Sequence, residues 1–237
     1  MIVEERFVTY INSLDQGNAP LLSEIEAEAR RTHVPVIRKE TQSLLKLLLS
    51  MNCPRRILEV GTAVGFSALL MEHYNPVECR IDTIENYGKR ISVAKENFLR
   101  AGKDNVIRLF EGDAAQVMKG LLEPYDFIFM DAAKGQYIHF LPEVMRLLKP
   151  GGVLVSDNVL QDGTVIESRF AVARRDRTIH KRMREYLYEL THMEEMATSV
   201  LTVGDGVTVS VRRQQVCPEE RGSRDEETGI AGAGQQP

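Results

Sequence analysis

The sequence lacks the features of membrane proteins and of disulfide-stabilised proteins. No apolar run approaches the roughly 20 residues that span a bilayer. The first residues, MIVEERFVTYINSL, lack the basic-then-apolar order of a signal peptide. The three cysteines, Cys53, Cys79 and Cys217, are scattered and odd in number. Such a set is typical of reduced thiols, so we expect a cytoplasmic protein without a disulfide framework.

The chain also carries little net charge and has no internal repeat. Its formal net charge is −4 over 237 residues. Residues 214–237 contain five acids and two bases, which leaves the remainder almost neutral. The overall charge therefore neither indicates nor excludes an anionic partner. We expect one domain over residues 1–213. Large apolar residues are almost absent beyond it, so we expect a disordered tail over residues 214–237.

Helix-like and strand-like patterns divide the domain into three parts. Residues 1–50 have apolar residues at helical spacing, which predicts helices that cap a pocket or contact a second subunit. From residue 56 onward, five apolar runs alternate with helical patterns. This alternation predicts an α/β fold with a doubly wound, mostly parallel sheet. Residues 199–213 form two β-rich runs around Gly-Asp-Gly, which predicts a C-terminal antiparallel hairpin and seven strands in all.

Two of the strand-like runs end on acidic residues. YDFIFMDAAK has Asp131 at the end of its apolar run and Lys134 shortly after, and GGVLVSDN ends on Asp157 and Asn158. The carboxyl ends of parallel strands gather at one edge of a sheet, so these side chains should meet. Their oxygen atoms suit Mg²⁺ or a similar divalent cation, with Lys134 as a base beside it. Asx residues also favour turns and helix caps, and spacing alone favours a solvated lysine.

A glycine-containing loop follows the first strand-like run. Gly61 and Gly65 lie between that strand and a helix, where a ligand can approach the backbone closely. The dinucleotide fingerprint G-x-G-x-x-G is incomplete, so a ligand with a carboxylate and an amine fits better than a diphosphate. Glu85 ends the second strand and could bind ribose hydroxyls. Asp113 follows the third strand, where a side chain can meet a purine. Each element alone could equally be a tight turn or a helix cap.

Together, LEVGTAVGFSAL, the strand-end Glu85, GDA, FMDAAK and SDN resemble the motifs of the metal-dependent S-adenosylmethionine O-methyltransferases. Catechol and caffeoyl-CoA O-methyltransferases belong to that family. Within it, the chain is most similar to a compact bacterial branch that includes tRNA 5-hydroxyuridine methyltransferase. The resemblance implies a Rossmann-like methyltransferase fold, S-adenosylmethionine and Mg²⁺ as cofactors, and a homodimer.

The resemblance also implies roles for individual residues. The implied donor-binding residues are Glu59, Gly61 and Ser67 at the methionine part, with Ile37 closing the pocket, Glu85 at the ribose, and Asp113 and Ala114 at the adenine. The implied metal ligands are Asp131, Asp157 and Asn158, with Asp131 also near the methyl donor and Lys134 as the general base. Ala132 and Ala133 depart from the pattern, because catechol enzymes carry large side chains there. This difference argues against a small catechol as substrate.

A basic segment follows the second acidic motif. Residues 169–190 contain seven basic residues, namely Arg169, Arg174, Arg175, Arg177, Lys181, Arg182 and Arg184. Lysine and arginine clustered at the rim of a site can bind phosphates, which favours an RNA substrate such as a tRNA anticodon loop. A charge run on a helix is also typical of a solvated face or of a subunit contact.

Three functions follow from these patterns. The first is Mg²⁺- and S-adenosylmethionine-dependent methylation of 5-hydroxyuridine at the wobble position of tRNA. The second keeps this chemistry but changes the acceptor to a small catechol or a hydroxycinnamoyl-type phenol. The third is a nucleotide-binding protein without catalytic activity. A nicotinamide-dependent oxidoreductase fits less well, because the third loop glycine is missing.

Overall fold

The computed structural model describes residues 2–214, so the predicted disordered tail lies outside the described residues from 215 onward. Three helices come first: α1 (Glu5–Ser13), α2 (Pro20–Arg31) and α3 (Lys39–Asn52). The alternating part contains β1 (Arg56–Val60), α4 (Phe66–Tyr74), β2 (Arg80–Glu85), α5 (Gly88–Arg100), β3 (Ile107–Glu111), α6 (Ala114–Gly120), β4 (Tyr125–Met130), α7 (Tyr137–Leu147) and β5 (Leu148–Ser156). The last elements are α8 (Arg177–His192), β6 (Met196–Leu201) and β7 (Val207–Arg212). Short 3₁₀ turns span Lys134–Gln136 and Gln161–Ile166.

The strands form one seven-stranded sheet in the order β3-β2-β1-β4-β5-β7-β6. β1 to β5 are parallel, whereas β7 runs antiparallel to both β5 and β6. The predicted doubly wound sheet with a C-terminal antiparallel hairpin is therefore confirmed. The strand order reverses between β1 and β4, and ligands of such sheets bind at the carboxyl ends of the strands beside this point.

Helices cover both faces of the sheet, which explains why its central strands are apolar almost throughout. One core cluster joins α2, α3, α4 and α5 to side chains such as Ile57, Phe127 and Val153. The other joins α7 and α8 to the opposite side chains, among them Leu58 and Ile128. A strand buried on both faces is a near-continuous hydrophobic run. The positions at the carboxyl ends of these strands are thus held by a closely packed frame.

The N-terminal helices differ in how they pack. α2 and α3 bury one face each against the core, as their apolar spacing predicts, through residues such as Ile25 and Leu45. Within α1, which the structure describes completely, no residue is fully buried, and Phe7, Tyr10 and Ile11 are exposed. Across residues 2–214, no helix is long and apolar enough to span a membrane.

Two leucines of α3 provide a test of this packing. Leu49 is fully buried, whereas Leu47 is 57% exposed on the same helix. Leu49→Ala should lower the free energy of unfolding by about 2–5 kcal/mol, because it leaves a cavity in the core. The control Leu47→Ala should change it by about 0.5 kcal/mol or less. Urea unfolding measures both, and equal losses would contradict the described packing of α3.

Candidate active site

A cavity of about 830 Å³ opens at the carboxyl ends of β1, β2, β3, β4 and β5. This size is sufficient for a ligand of several linked groups. The predicted site residues that line it are Ile37, Gly61, Glu85, Asp113, Ala114, Asp131, Lys134, Asp157 and Asn158. Glu59 and Ser67 are not among the described residues at its wall. The sheet therefore brings most of the predicted residues together from five separate strand ends.

The glycine loop packs directly against the end of β4. Gly61 has a φ of +106°, and a Cβ atom there would collide with the backbone carbonyl of Asp131. The backbone N–H of Asp131 in turn donates to the carbonyl of Val60 at 2.9 Å. Only glycine allows this approach at a positive φ. The close contact fixes the distance between the loop after β1 and the first acidic residue after β4.

Glu85, the last residue of β2, binds the backbone of the same loop. Its carboxylate accepts the backbone N–H of Ala63 at 2.9 Å. The other oxygen accepts the N–H groups of Asn86 at 2.9 Å and Tyr87 at 3.0 Å. These bonds hold a carboxylate at the cavity wall, where an oxygen with a remaining lone pair can accept a ligand hydroxyl.

Glu59 lies beneath the cavity. Its carboxylate accepts the hydroxyls of Ser67 and Thr83, each at 2.5 Å, and the hydroxyl of Thr62 lies 2.6 Å from that of Thr83. Burial raises the pKa of Glu59 to about 8, against the effect of the two hydroxyl donors. Glu59 precedes the last residue of β1 and lies beside Thr83 of β2, so its side chain lies against the sheet and not beyond the strand end. The spacing of residues in the motif does not show that the side chain of Glu59 is fully buried and away from the cavity wall.

Asp131 and Asp157 are carboxylates at neighbouring strand ends, of which Asp157 is buried and Asp131 is partly exposed. Burial raises the pKa of both above the ordinary range, and the charge of Asp131 raises that of Asp157 further. The positive charges of Lys134 and Arg90 act in the opposite direction on Asp131. Arg90, which was not predicted, lies in the first turn of α5 and lines the cavity.

Backbone contacts hold this pair in position. The N–H of Asp157 donates to the carbonyl of Met130 at 2.9 Å. The buried hydroxyl of Tyr137 lies 3.1 Å from the carbonyls of both Met130 and Asp157, and it accepts the N–H of Ala132 at 3.2 Å. Tyr137 thus connects the carboxyl ends of β4 and β5 through their backbone carbonyls.

The donor atoms fit a divalent cation. Within residues 2–214 there is no group of three or more His, Cys, Asp and Glu residues arranged to hold a metal. The candidate set instead combines two carboxylates, Asp131 and Asp157, with the amide of Asn158, and all three residues line one cavity. Hard oxygen donors of this kind suit Mg²⁺, which keeps several waters and needs few protein ligands.

Lys134 reaches the cavity from the 3₁₀ turn that follows β4. Its Nζ lies 3.6 Å from Oδ2 of Asp205, at the tip of the β6–β7 hairpin. Gly-Asp-Gly predicts only a hairpin turn, so this contact was not predicted. No local pattern distinguishes a turn aspartate from one that meets a distant lysine.

The doubly wound sheet with a cavity at its switch point is the architecture of Rossmann-like methyltransferases. A family model described as O-methyltransferase matches residues 13–213, so the chain belongs to that family. It is therefore an S-adenosylmethionine-dependent O-methyltransferase, which confirms the predicted enzyme class and disagrees with a noncatalytic nucleotide-binding protein.

Individual relatives agree with this assignment. The chain is 35% identical over 168 residues to a catechol O-methyltransferase of Niastella koreensis, covering 69% of this chain and 70% of the relative. It is 30% identical over 212 residues to a catechol O-methyltransferase of Mycobacterium tuberculosis, covering 86% and 94%. The crystal structure of the O-methyltransferase TomG from Streptomyces achromogenes, in complex with S-adenosylmethionine, has a TM-score of 0.78 at 25% identity. That match covers 90% of this chain and 100% of TomG.

The buried Glu59 predicts a pH dependence of stability in the ligand-free protein. Its pKa is raised in the folded chain, so the folded state holds an extra proton that the unfolded state loses. Stability should therefore fall as the pH rises from about 4.5 to about 8. Glu59→Gln stays uncharged and should lose less stability across this interval.

Urea unfolding at about pH 5 and about pH 8.5 measures the difference. The contributions of Asp131 and Asp157 have the same sign and are present in both proteins. The exposed Glu111 provides the control variant Glu111→Gln, which should keep the native pH slope. A native slope in Glu59→Gln as well would contradict a protonated Glu59.

Proposed function

We propose that the cavity binds S-adenosylmethionine with its ribose at Glu85 and its adenine near Asp113 and Ala114. The solved relative TomG, which holds this donor, supports the proposal by its likeness in fold. The carboxylate of Glu85 lies at the cavity wall with three backbone donors behind it. Ile37, on the segment before α3, and Gly61 flank the position proposed for the methionine part. Glu59 and Ser67 would act from beneath, by shaping the loop that carries Gly61.

Asp131, Asp157 and Asn158 would hold Mg²⁺. The observation that carries this proposal is that two carboxylates and an amide, from Asp131, Asp157 and Asn158, line one cavity at neighbouring strand ends. A divalent cation there would lower the pKa of an acceptor hydroxyl and orient it. The buried hydroxyl of Tyr137 lies within hydrogen-bond distance of the carbonyls of Met130 and Asp157, so it links the two strand ends that carry the proposed ligands.

Lys134 is the proposed general base. Its neutral amine would take the proton of the acceptor hydroxyl, and the resulting oxygen anion would attack the methyl group of the donor sulfonium. The carbon–sulfur bond breaks as the carbon–oxygen bond forms, and the sulfur leaves as a neutral thioether. Holding acceptor and donor in line supplies much of the rate. The loops after β1 and β4, which line the cavity, would hold the donor and the acceptor in that alignment.

The acceptor that we propose is 5-hydroxyuridine at the wobble position of tRNA. The support comes from the basic segment, Arg169 to Arg184. Two of its members pair with acids, Arg175 with Asp176 and Lys181 with Glu185. Within the described residues no acid pairs with Arg169 or Arg174, and both side chains are exposed. They lie on the stretch that joins Asn158 to α8.

The remaining basic residues bind backbone carbonyls. Arg177 donates to Val172, Arg182 to Gly135 and Arg184 to Val165. Through the bond from Arg182, α8 sits directly against the turn that carries Lys134. The basic segment therefore borders the proposed catalytic group, although none of its members is among the described residues that line the cavity. A bound RNA backbone would run across this border.

A small catechol is the second candidate acceptor. The two relatives named catechol O-methyltransferase favour it. Ala132 and Ala133 weigh against it, because both line the cavity and neither has a side chain that could stack on a ring. The homodimer expected from the family stays a prediction.

Methyl transfer from labelled S-adenosylmethionine to tRNA that contains 5-hydroxyuridine tests the proposal. Labelling should require Mg²⁺ and disappear with EDTA. Asp157→Ala should reduce turnover by about a hundredfold or more, because it removes a proposed metal ligand. Asp104→Ala, an exposed aspartate before β3 at the other end of the sheet, is the control and should retain activity.

Labelling of catechol and none of tRNA would overturn the tRNA proposal in favour of the second candidate. Labelling that is indifferent to EDTA and to Asp157→Ala would overturn the metal site with either acceptor.

The basic segment is tested by removing its exposed charges. The double variant Arg174→Gln with Arg175→Gln should weaken tRNA binding and lower the dependence of binding on salt concentration, because fewer phosphates are neutralised. The control is Arg55→Gln with Arg80→Gln, two exposed arginines at the amino ends of β1 and β2. Binding titrations at several salt concentrations measure the slope. Equal slopes in the two double variants would contradict phosphate contacts by the segment.

A further inference from the structure

The tip of the β6–β7 hairpin enters the active site through Asp205. Only 5% of this residue is exposed. Its Oδ2 atom lies 3.6 Å from Nζ of Lys134, and its Oδ1 atom accepts the backbone N–H of Asp162. A carboxylate that is buried to this extent needs both a cation and hydrogen-bond donors. Asp205 accepts the N–H of Asp162, and Lys134, the proposed general base, supplies a cation whenever its amine holds a proton.

The backbone of the hairpin tip is locked against the segment that follows the proposed metal ligands. The N–H of Val159 donates to the carbonyl of Gly206 at 2.9 Å, and that of Leu160 donates to the carbonyl of Asp205 at 3.1 Å. Gly206 has a φ of +85°, and a Cβ atom there would collide with Leu160. The carboxylate of Asp205 is thus held on a backbone that has little freedom to move.

Lys134 itself has much more freedom. Its side chain is 34% exposed, whereas that of Asp205 is 6% exposed. The four-carbon stem of a lysine allows many positions of the amine unless a partner selects one of them. A fixed carboxylate on one side of the amine restricts where Nζ can lie. Within a partly dehydrated site, it also stabilises a positive charge more strongly than water-exposed groups would.

We propose that Asp205 is a positioning residue for Lys134, an inference that rests on the proposed function of Lys134 as the base. Asp205 holds the amine at the cavity wall. It then stabilises the ammonium group that forms when the acceptor O–H bond breaks and the new N–H bond is made. Asp205 neither takes the proton nor contacts the donor. Its contribution is greatest after the proton has moved, so its loss should lower kcat more than it raises KM.

Asp205→Asn is the first variant to test. An asparagine keeps an oxygen that can accept the N–H of Asp162 but removes the charge beside Lys134. With tRNA that contains 5-hydroxyuridine, or with catechol if that is the acceptor methylated, kcat should fall about tenfold to a hundredfold. KM for S-adenosylmethionine and the half-saturating Mg²⁺ concentration should stay within about twofold. Glu72→Gln is the control, since it removes a lysine-paired carboxylate of α4 far from the cavity and should retain activity. An unchanged kcat in Asp205→Asn, or a raised Mg²⁺ requirement in its place, would overturn the proposal.

A double-mutant cycle with Lys134→Gln separates this proposal from the one on which it rests. If Lys134 is the base and Asp205 acts through it, Asp205→Asn should have no further effect on kcat in the Lys134→Gln protein. A further tenfold loss there would show that Asp205 acts by another route and would overturn the inference. If Lys134→Gln retains full turnover, the proposed base itself is wrong. That result does not depend on how Asp205→Asn behaves.

The stability of the same four proteins gives a readout that needs no activity. Lys134→Gln leaves Asp205 buried without its cation and should lower the midpoint of thermal unfolding. Adding Asp205→Asn should restore part of that loss, because the uncompensated charge is then gone. Asp205→Ser replaces Asp205→Asn in the cycle if the asparagine variant does not fold. Strictly additive losses would overturn the pairing of the two residues.

Discussion

The active site depends most on holding two carboxylates at neighbouring strand ends, the buried Asp157 and the partly exposed Asp131. Burial disfavours their charged forms, and each charge disfavours the other. Such a pair is stable in its ionised form only where positive charge is supplied. Lys134 and Arg90 supply part of it from two different elements. The proposed divalent cation would supply the remainder.

The apolar sheet makes this arrangement possible. β1, β4 and the carboxyl half of β5 are buried between two helical layers, so packing on both faces holds their carboxyl ends in place. Gly61, pressed onto the carbonyl of Asp131, and Tyr137, bridging two strand ends, extend that order into the loops. A reactive site built on packed strands is more exact than one built on loops alone. The positions of the polar site residues therefore depend on the packing of the hydrophobic core.

Sequence patterns predict whatever depends on order along the chain. Apolar runs that end on Asp131 and Asp157 indicated both the parallel strands and the place where these acids meet. Sequence patterns do not predict how deeply a side chain is buried, nor which residues distant in the chain it contacts. Glu59 stands in the expected motif but lies beneath the cavity, because it precedes the end of its strand and its carboxylate is engaged by Ser67 and Thr83. Asp205 looks like any hairpin aspartate, since its partner Lys134 is remote in sequence.

The positions that carry the chemistry and those that would choose the acceptor lie on different parts of the fold. The proposed donor and metal residues sit at strand ends within the packed sheet, whereas the basic residues lie on the stretch between β5 and α8 and on α8 itself. Family membership therefore identifies the reaction with much more force than it identifies the acceptor. The Asp205–Lys134 contact joins the two parts, because Asp205 contacts both Asp162, near the start of the stretch after β5, and the proposed base Lys134.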